Sequence, residues 1–151
     1  MNEGPRSDAP PSEHRLEIGT ARSELRRVSA WLHDLLGDRL PADALFALDL
    51  GIQESVANAM SYAFPDDRAH AMVVTLRRRD DRIEIEVEDD GIPFDPLGFQ
   101  PPPLPERLED VTLGGNGIRL MRRFLDEISY RRSSDRNHLI MTRRVSGGIR
   151  P

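Results

Sequence analysis

The sequence predicts an α+β protein, a two-layer α/β sandwich in which helices cover one face of a mixed, mostly antiparallel sheet. Three observations predict it. Two pairs of β-rich segments, at residues 70–88 and 127–145, are separated by a long connection and a helix, and do not alternate singly with helices. Residues 82–88 alternate strictly, with Ile83, Ile85 and Val87 on one side and Glu84, Glu86 and Glu88 on the other, the pattern of a sheet with one wet face. Two stretches ahead of the first pair, residues 21–36 and 45–63, repeat their apolar residues at helical spacing.

In chain order, residues 1–14 are polar and proline-containing and are expected to form a disordered tail. Residues 15–19 suit a short edge strand. Residues 21–36 place Leu25, Val28, Leu32, Leu35 and Leu36 at helical intervals, and Gly37 closes that helix. Pro41 suits the first turn of the next helix, where its missing N–H would have had no partner, and Pro65 lies just beyond its end. On this second helix Leu45, Leu48, Ile52, Val56, Ala59, Met60 and Ala63 form a core stripe. Ala47, Gly51, Glu54, Asn58 and Tyr62 fall opposite, where the two small residues are expected to leave a ligand wall open.

Residues 70–79 and 82–88 make a hairpin through Asp80 and Asp81. The pattern then collapses into Asp89-Asp90-Gly91-Ile92-Pro93-Phe94-Asp95-Pro96 and a segment carrying Pro101, Pro102, Pro103 and Pro105. A connection this long without helix or strand period usually marks a binding loop or lid. Gly114-Gly115-Asn116-Gly117 opens a helix over residues 118–125, with Leu120, Met121, Phe124 and Leu125 inward. Strands at 127–132 and 138–145 are joined by a polar turn at 133–137. The folded domain is thus expected to span residues 15–146, with 147–151 frayed.

Composition narrows the class. A chain of 151 residues with 38% hydrophobic and 31% charged residues is one globular domain with a full core. A formal charge of -5 argues against a dedicated nucleic-acid binder. All 21 cationic residues are arginine, so there is no P-loop lysine. Cysteine is absent, which excludes disulfides and thiolate metal sites and fits a reducing compartment. No apolar run approaches the roughly 18 residues of a membrane span and residues 1–14 lack the form of a signal peptide, so a cytoplasmic location with no membrane partner is expected.

Three stretches carry possible chemistry. Glu54 and Asn58 set a carboxylate and a carboxamide one helical turn apart. Asp89 leaves a strand end as an acceptor for an amino group, and Gly91 lets a flat ligand approach the backbone. Gly114, Gly115, Asn116 and Gly117 expose backbone N–H groups at the positive end of a helix, a setting that holds phosphate without lysine. Taken singly, these are equally a solvated helix face, an acidic turn and a glycine turn.

Together, in this order and spacing, they resemble the N, G1 and G2 boxes of the GHKL ATPase superfamily, most closely the small anti-sigma-factor serine/threonine kinases of the RsbW and SpoIIAB kind. The first box reads Glu54-Ser55-Val56-Ala57-Asn58, the second Asp89-Asp90-Gly91 continuing into Pro93-Phe94-Asp95-Pro96, and the third Gly115-Asn116-Gly117 leading into a helix and an acidic turn. The resemblance covers about residues 15–145. Two positions depart from the family: Tyr62 stands where a histidine is frequent, and Pro93 where many members have a second glycine.

The resemblance implies a Bergerat-type sandwich with an ATP lid, and ATP and Mg²⁺ as cofactors. It assigns the adenine amino group to Asp89, Mg²⁺ to Asn58, the phosphates to the region of Gly115 and Gly117, and the role of general base toward a protein Ser or Thr hydroxyl to Glu54. It implies a kinase that phosphorylates a STAS-domain anti-sigma-factor antagonist, sequesters a sigma factor and forms a homodimer. The alternative is a nucleotide-gated binding module that transfers no phosphate. A histidine-kinase catalytic domain is a weaker option, since the chain offers no helical hairpin carrying a phosphoacceptor histidine.

Overall fold

The computed structural model describes residues 12–66, 68–98 and 117–150. Its elements are β1 (Ser12–Ile18), α1 (Glu24–Leu36), α2 (Ala42–Tyr62), β2 (Met72–Arg79), β3 (Arg82–Asp89), α3 (Gly117–Phe124), β4 (Glu127–Ser133) and β5 (Arg136–Arg144). The five strands form one sheet in the order β1-β2-β3-β5-β4. Every described pairing is antiparallel, so the sheet is simpler than the mixed one expected.

Strand alternation sets the layers. Val74, Leu76, Ile83, Ile85, Val87, Leu139 and Met141 are buried on the inner face and meet Leu48, Ile52 and Val56 of α2 and Val28 and Leu32 of α1 in one core. Both hairpin turns use residues that tolerate the left-handed region: Asp80 has φ 32°, while Ser134 and Asp135 have φ 52° and 59°.

Several expectations are corrected by packing. β1 begins at Ser12, inside the expected tail, because Ser12 pairs with Arg78 and Arg77 holds Glu13 through a 3.0 Å ion pair. The C-terminal residues are tied down to residue 150: Ile149 is buried, its carbonyl accepts from buried Arg78 at 3.0 Å, and the Arg150 N–H donates to the Arg39 carbonyl at 3.1 Å. The outer sheet face is less wet than its alternation implies. Glu86 on it is only 6% exposed, held by Arg77, Arg131 and His138.

The largest correction concerns α2. Ala47 and Gly51 do not hold a ligand wall open; both are buried. A methyl group at Gly51 would lie 2.8 Å from Met141 Sδ and 3.1 Å from Leu125 Cδ1, so the small residues let the helix lie close against β5 and the end of α3. Leu45 and Met60, expected in the core, lie half-buried at its edge. On α3, Met121 and Leu125 turn inward as expected, but Leu120 is 39% exposed, because it stands 100° from Met121 on a helix with one buried stripe.

Candidate nucleotide site

Asp89 ends β3 with its side chain buried. Its Oδ1 accepts two hydrogen bonds at 2.9 Å, from the Gly91 backbone N–H and from Asn137 Nδ2. Neither bond uses Oδ2, which leaves one oxygen for a ligand's donor. Burial pushes the Asp89 carboxyl above its ordinary range, against the opposing hydrogen bonds from Asn137 and Gly91.

Asn137 is the hub of this corner. Its Nδ2 also donates to the Ile92 carbonyl at 2.8 Å, and its Oδ1 accepts from the Tyr130 hydroxyl at 2.6 Å and the Phe94 N–H at 3.2 Å. One buried carboxamide thereby fixes the Asp89 carboxylate and fastens the chain after Gly91 to the sheet. Gly91 makes the turn possible: a Cβ there would lie 2.4 Å from the Ala63 carbonyl oxygen, which already accepts the Ile92 N–H at 2.9 Å. Tyr62, at the departing position, stacks on Phe94 with ring centroids 5.1 Å apart.

Between the second half of α2 and strands β3, β4 and β5 lies a cleft of about 290 Å³, counting the space open to solvent. Ala59, Val87, Leu139, Phe94 and Pro96 give it apolar walls, and Asp89, Asn137, Asn58 and Ser55 supply the polar groups. Apolar walls with one buried acceptor suit a flat heterocycle bearing an amino group. Ser55 spends its hydroxyl proton on the Gly51 carbonyl at 2.6 Å, so it lines the cleft without offering that donor.

Glu54 lies one turn before Asn58 on α2, half-buried, and burial raises its carboxyl above the ordinary value of 4.5. A Cβ on Gly117 would fall 1.9 Å from Glu54 Oε2, so the first residue of α3 seats its bare backbone on that carboxylate. The structure therefore brings Asn58 and Asp89 to the cleft, with Gly91 bonded to Asp89 beside it, and sets Glu54 against Gly117 one turn away. Gly114, Gly115 and Asn116 lie outside the described residues. Asn137 and Tyr130 were not foreseen: Asn137 was expected in a polar turn, and only its register opposite Asp89 discloses its role.

The family described as the histidine kinase-like ATPase domain matches residues 19–143. The chain belongs to the histidine kinase-like ATPase family. Among its relatives is the serine/threonine-protein kinase BtrW of Bordetella bronchiseptica, 35% identical over 84% of this chain and 90% of that protein. The serine-protein kinase RsbW of Bacillus licheniformis is 29% identical over 57% of this chain and 56% of its own length. The anti-sigma F factor of Clostridium perfringens is 24% identical over 69% of this chain and 75% of its own. In fold, the chain is similar to a solved structure of the RsbU and RsbW domains of Rv1364c from Mycobacterium tuberculosis, with a TM-score of 0.63 and 16% identity over 95% of this chain. The chain spans 34% of that solved chain. A GHKL ATPase fold, and with it the use of a nucleotide, is thus shown for this chain.

Proposed function

We propose that the chain is an ATP-dependent protein serine/threonine kinase of a partner-switching pathway, which phosphorylates a STAS-domain anti-sigma-factor antagonist and alternatively binds a sigma factor. The observation that carries the reading is the Glu54 carboxylate, half-buried against Gly117, one turn from Asn58 and with its proton affinity raised by burial. A carboxylate whose pKa burial raises is a better proton acceptor than an exposed one. The names borne by the relatives, serine kinases and an anti-sigma factor, support it.

In this reading adenine lies in the cleft with its amino group donating to Asp89 Oδ2, which selects adenine over guanine, whose corresponding edge carries an acceptor. Gly114, Gly115, Asn116 and Gly117 would hold the phosphates. Asn58 offers one neutral oxygen to Mg²⁺, which supplies charge neutralisation at the phosphate oxygens. Glu54 takes the proton of the partner's hydroxyl as its oxygen bonds to the γ-phosphorus and ADP departs with the bridging oxygen.

We carry forward with it a domain over residues 15–146 extended by the paired ends, a homodimer, and a cytoplasmic location. Among the described residues no helix is long and apolar enough to cross a membrane. Incubation with labelled ATP and each STAS-domain protein of the same genome tests the reading: label on one of them supports it, and label on none, with ATP bound, overturns it.

A further inference from the structure

Phe46 and Leu120 are large apolar side chains that belong to no core, 59% and 39% exposed. They stand on a single ridge. Phe46 meets Phe124 edge-on at 5.8 Å, Gly117 seats on Glu54, and Leu125 lies against Gly51, so α3 runs antiparallel along the first half of α2. Phe46, Leu50 and Glu54 follow at successive turns within an 80° arc of α2, which puts Phe46 about 12 Å along the axis from Glu54. Leu120 and Phe124 follow Gly117 at similar intervals on α3. An apolar strip therefore leads away from the Glu54 carboxylate.

Exposed arginines of α3 border that strip, beside the Asp43–Arg143 ion pair at 3.1 Å. Arg119 and Arg123 are exposed and have no carboxylate within ion-pair distance among the described residues, although the chain carries 26 acidic against 21 basic residues. Arg123 lies over the Phe124 ring with its Cζ 5.8 Å from the centroid, and Arg122 donates to the Leu97 carbonyl at 3.2 Å. Arginines with no ion pair among the described residues, set around exposed aromatic and aliphatic anchors, match a partner surface that is acidic and presents its own apolar side chains.

We propose that the Phe46–Leu120 strip, with Arg119 and Arg123, is the docking surface for the protein substrate, which lays an acidic, apolar-anchored face along α2 and α3 and so delivers its hydroxyl to Glu54. The inference rests on the reading of Glu54 as the base, and its test separates the two.

The test uses the full chain and the panel of STAS-domain proteins, with two double variants, Phe46→Ala/Leu120→Ser and Arg119→Glu/Arg123→Glu. For the panel member that wild type phosphorylates, both variants should raise its KM about tenfold or more, with kcat at saturation and ATP affinity within about twofold. Wild-type KM should also rise with salt, and the arginine variant should lose that dependence. Unchanged KM in both variants overturns the docking surface and leaves the kinase reading standing, as does a loss confined to self-association or to sigma-factor binding. If no member is phosphorylated but one binds, and both variants weaken that binding about tenfold, the surface stands and the kinase reading falls. No binding by any member overturns both.

Discussion

Gly117 rests on the carboxylate of Glu54 so closely that a single methyl group there would lie 1.9 Å from Oε2. The glycine is required by its neighbour, since the described backbone at this position has no positive φ. The contact joins the helix that begins at Gly117 to the residue we assign as the base. Gly117→Ala should therefore swing the Glu54 side chain aside while sparing the fold. Transfer to the antagonist should slow by about 10²-fold, the scale set by a misplacement near 1 Å, with a thermal midpoint close to wild type. Single-turnover transfer beside thermal unfolding checks it, and wild-type transfer by the variant would show that the Glu54 position is not critical.

Asp89→Asn keeps the shape of the corner but places an amide where the cleft needs an acceptor. ATP binding should weaken by about 1 to 3 kcal/mol, the cost of leaving a buried polar pairing unmade. Acid should do the same to the wild type. Because burial raises the Asp89 carboxyl above 3.8, its proton returns in the folded protein at a higher pH than in the unfolded chain. That protonation favours the folded state while abolishing the acceptor, so nucleotide affinity should fall with pH ahead of any loss of fold. Calorimetry at successively lower pH should show the decline in wild type and a flatter profile in Asp89→Asn; equal profiles would remove Asp89 from adenine recognition.

Gly51→Ala tests the close approach of α2 to the sheet. The added methyl meets Met141 Sδ at 2.8 Å and Leu125 Cδ1 at 3.1 Å, both side-chain atoms able to shift at some cost. Overpacking of this kind costs about 1 to 3 kcal/mol. Urea denaturation should report it, and a stability equal to wild type would mean that the helix does not need glycine there.

The layers were legible in the sequence because periodicity reports burial directly: Ile83, Ile85 and Val87 alternate and are buried, and Val28, Leu32, Ile52 and Val56 recur at helical spacing and are buried. What periodicity conceals is how closely two elements approach. Ala47 and Gly51 look like an empty face, but small residues on a central helix serve equally to admit a neighbouring strand, and only the position of Met141 distinguishes the two. Motif spacing disclosed Glu54, Asn58, Asp89 and Gly91 as candidates, whereas Asn137 lies 48 residues from Asp89 and its partnership depends on the β3–β5 register. The boundaries of the folded part shift at Ser12, Glu13 and Arg150 because these polar residues are held by backbone pairing, which composition does not encode.

His70 ties the end of α2 to the turn that carries Asp89. Its Nε2 lies 2.5 Å from Asp66 Oδ1 and its Nδ1 3.1 Å from Asp90 Oδ1, with the ring stacked 4.5 Å from that of Phe64. The hydrogen bond to Asp66, aided by Asp90 and opposed by desolvation, raises the His70 pKa above 6.5, and the same bond lowers that of Asp66 below 3.8. The histidine contribution to stability is thus complete below about pH 6.5 and is lost as pH rises through the raised value; the aspartate contribution is present above 3.8 and is lost as pH falls through the lowered one. His70→Gln should therefore lower the urea midpoint at about pH 6 and have less effect near pH 9. A difference between variant and wild type that is the same at both values would mean that the imidazolium does not bridge the two aspartates.

Glu54, in the proposed kinase, accepts the proton of a protein hydroxyl during phosphoryl transfer. Glu54→Gln retains the size of the side chain beneath Gly117 and leaves Asn58 in place, so it removes the base and little else. Single-turnover transfer of labelled phosphate from ATP to the STAS-domain antagonist, run beside ATP titration of both proteins, tests it most directly. ATP affinity should stay within about twofold of wild type and transfer should slow by about 10² to 10⁴-fold, the range for loss of a positioned base. Transfer by Glu54→Gln at the wild-type rate would contradict it.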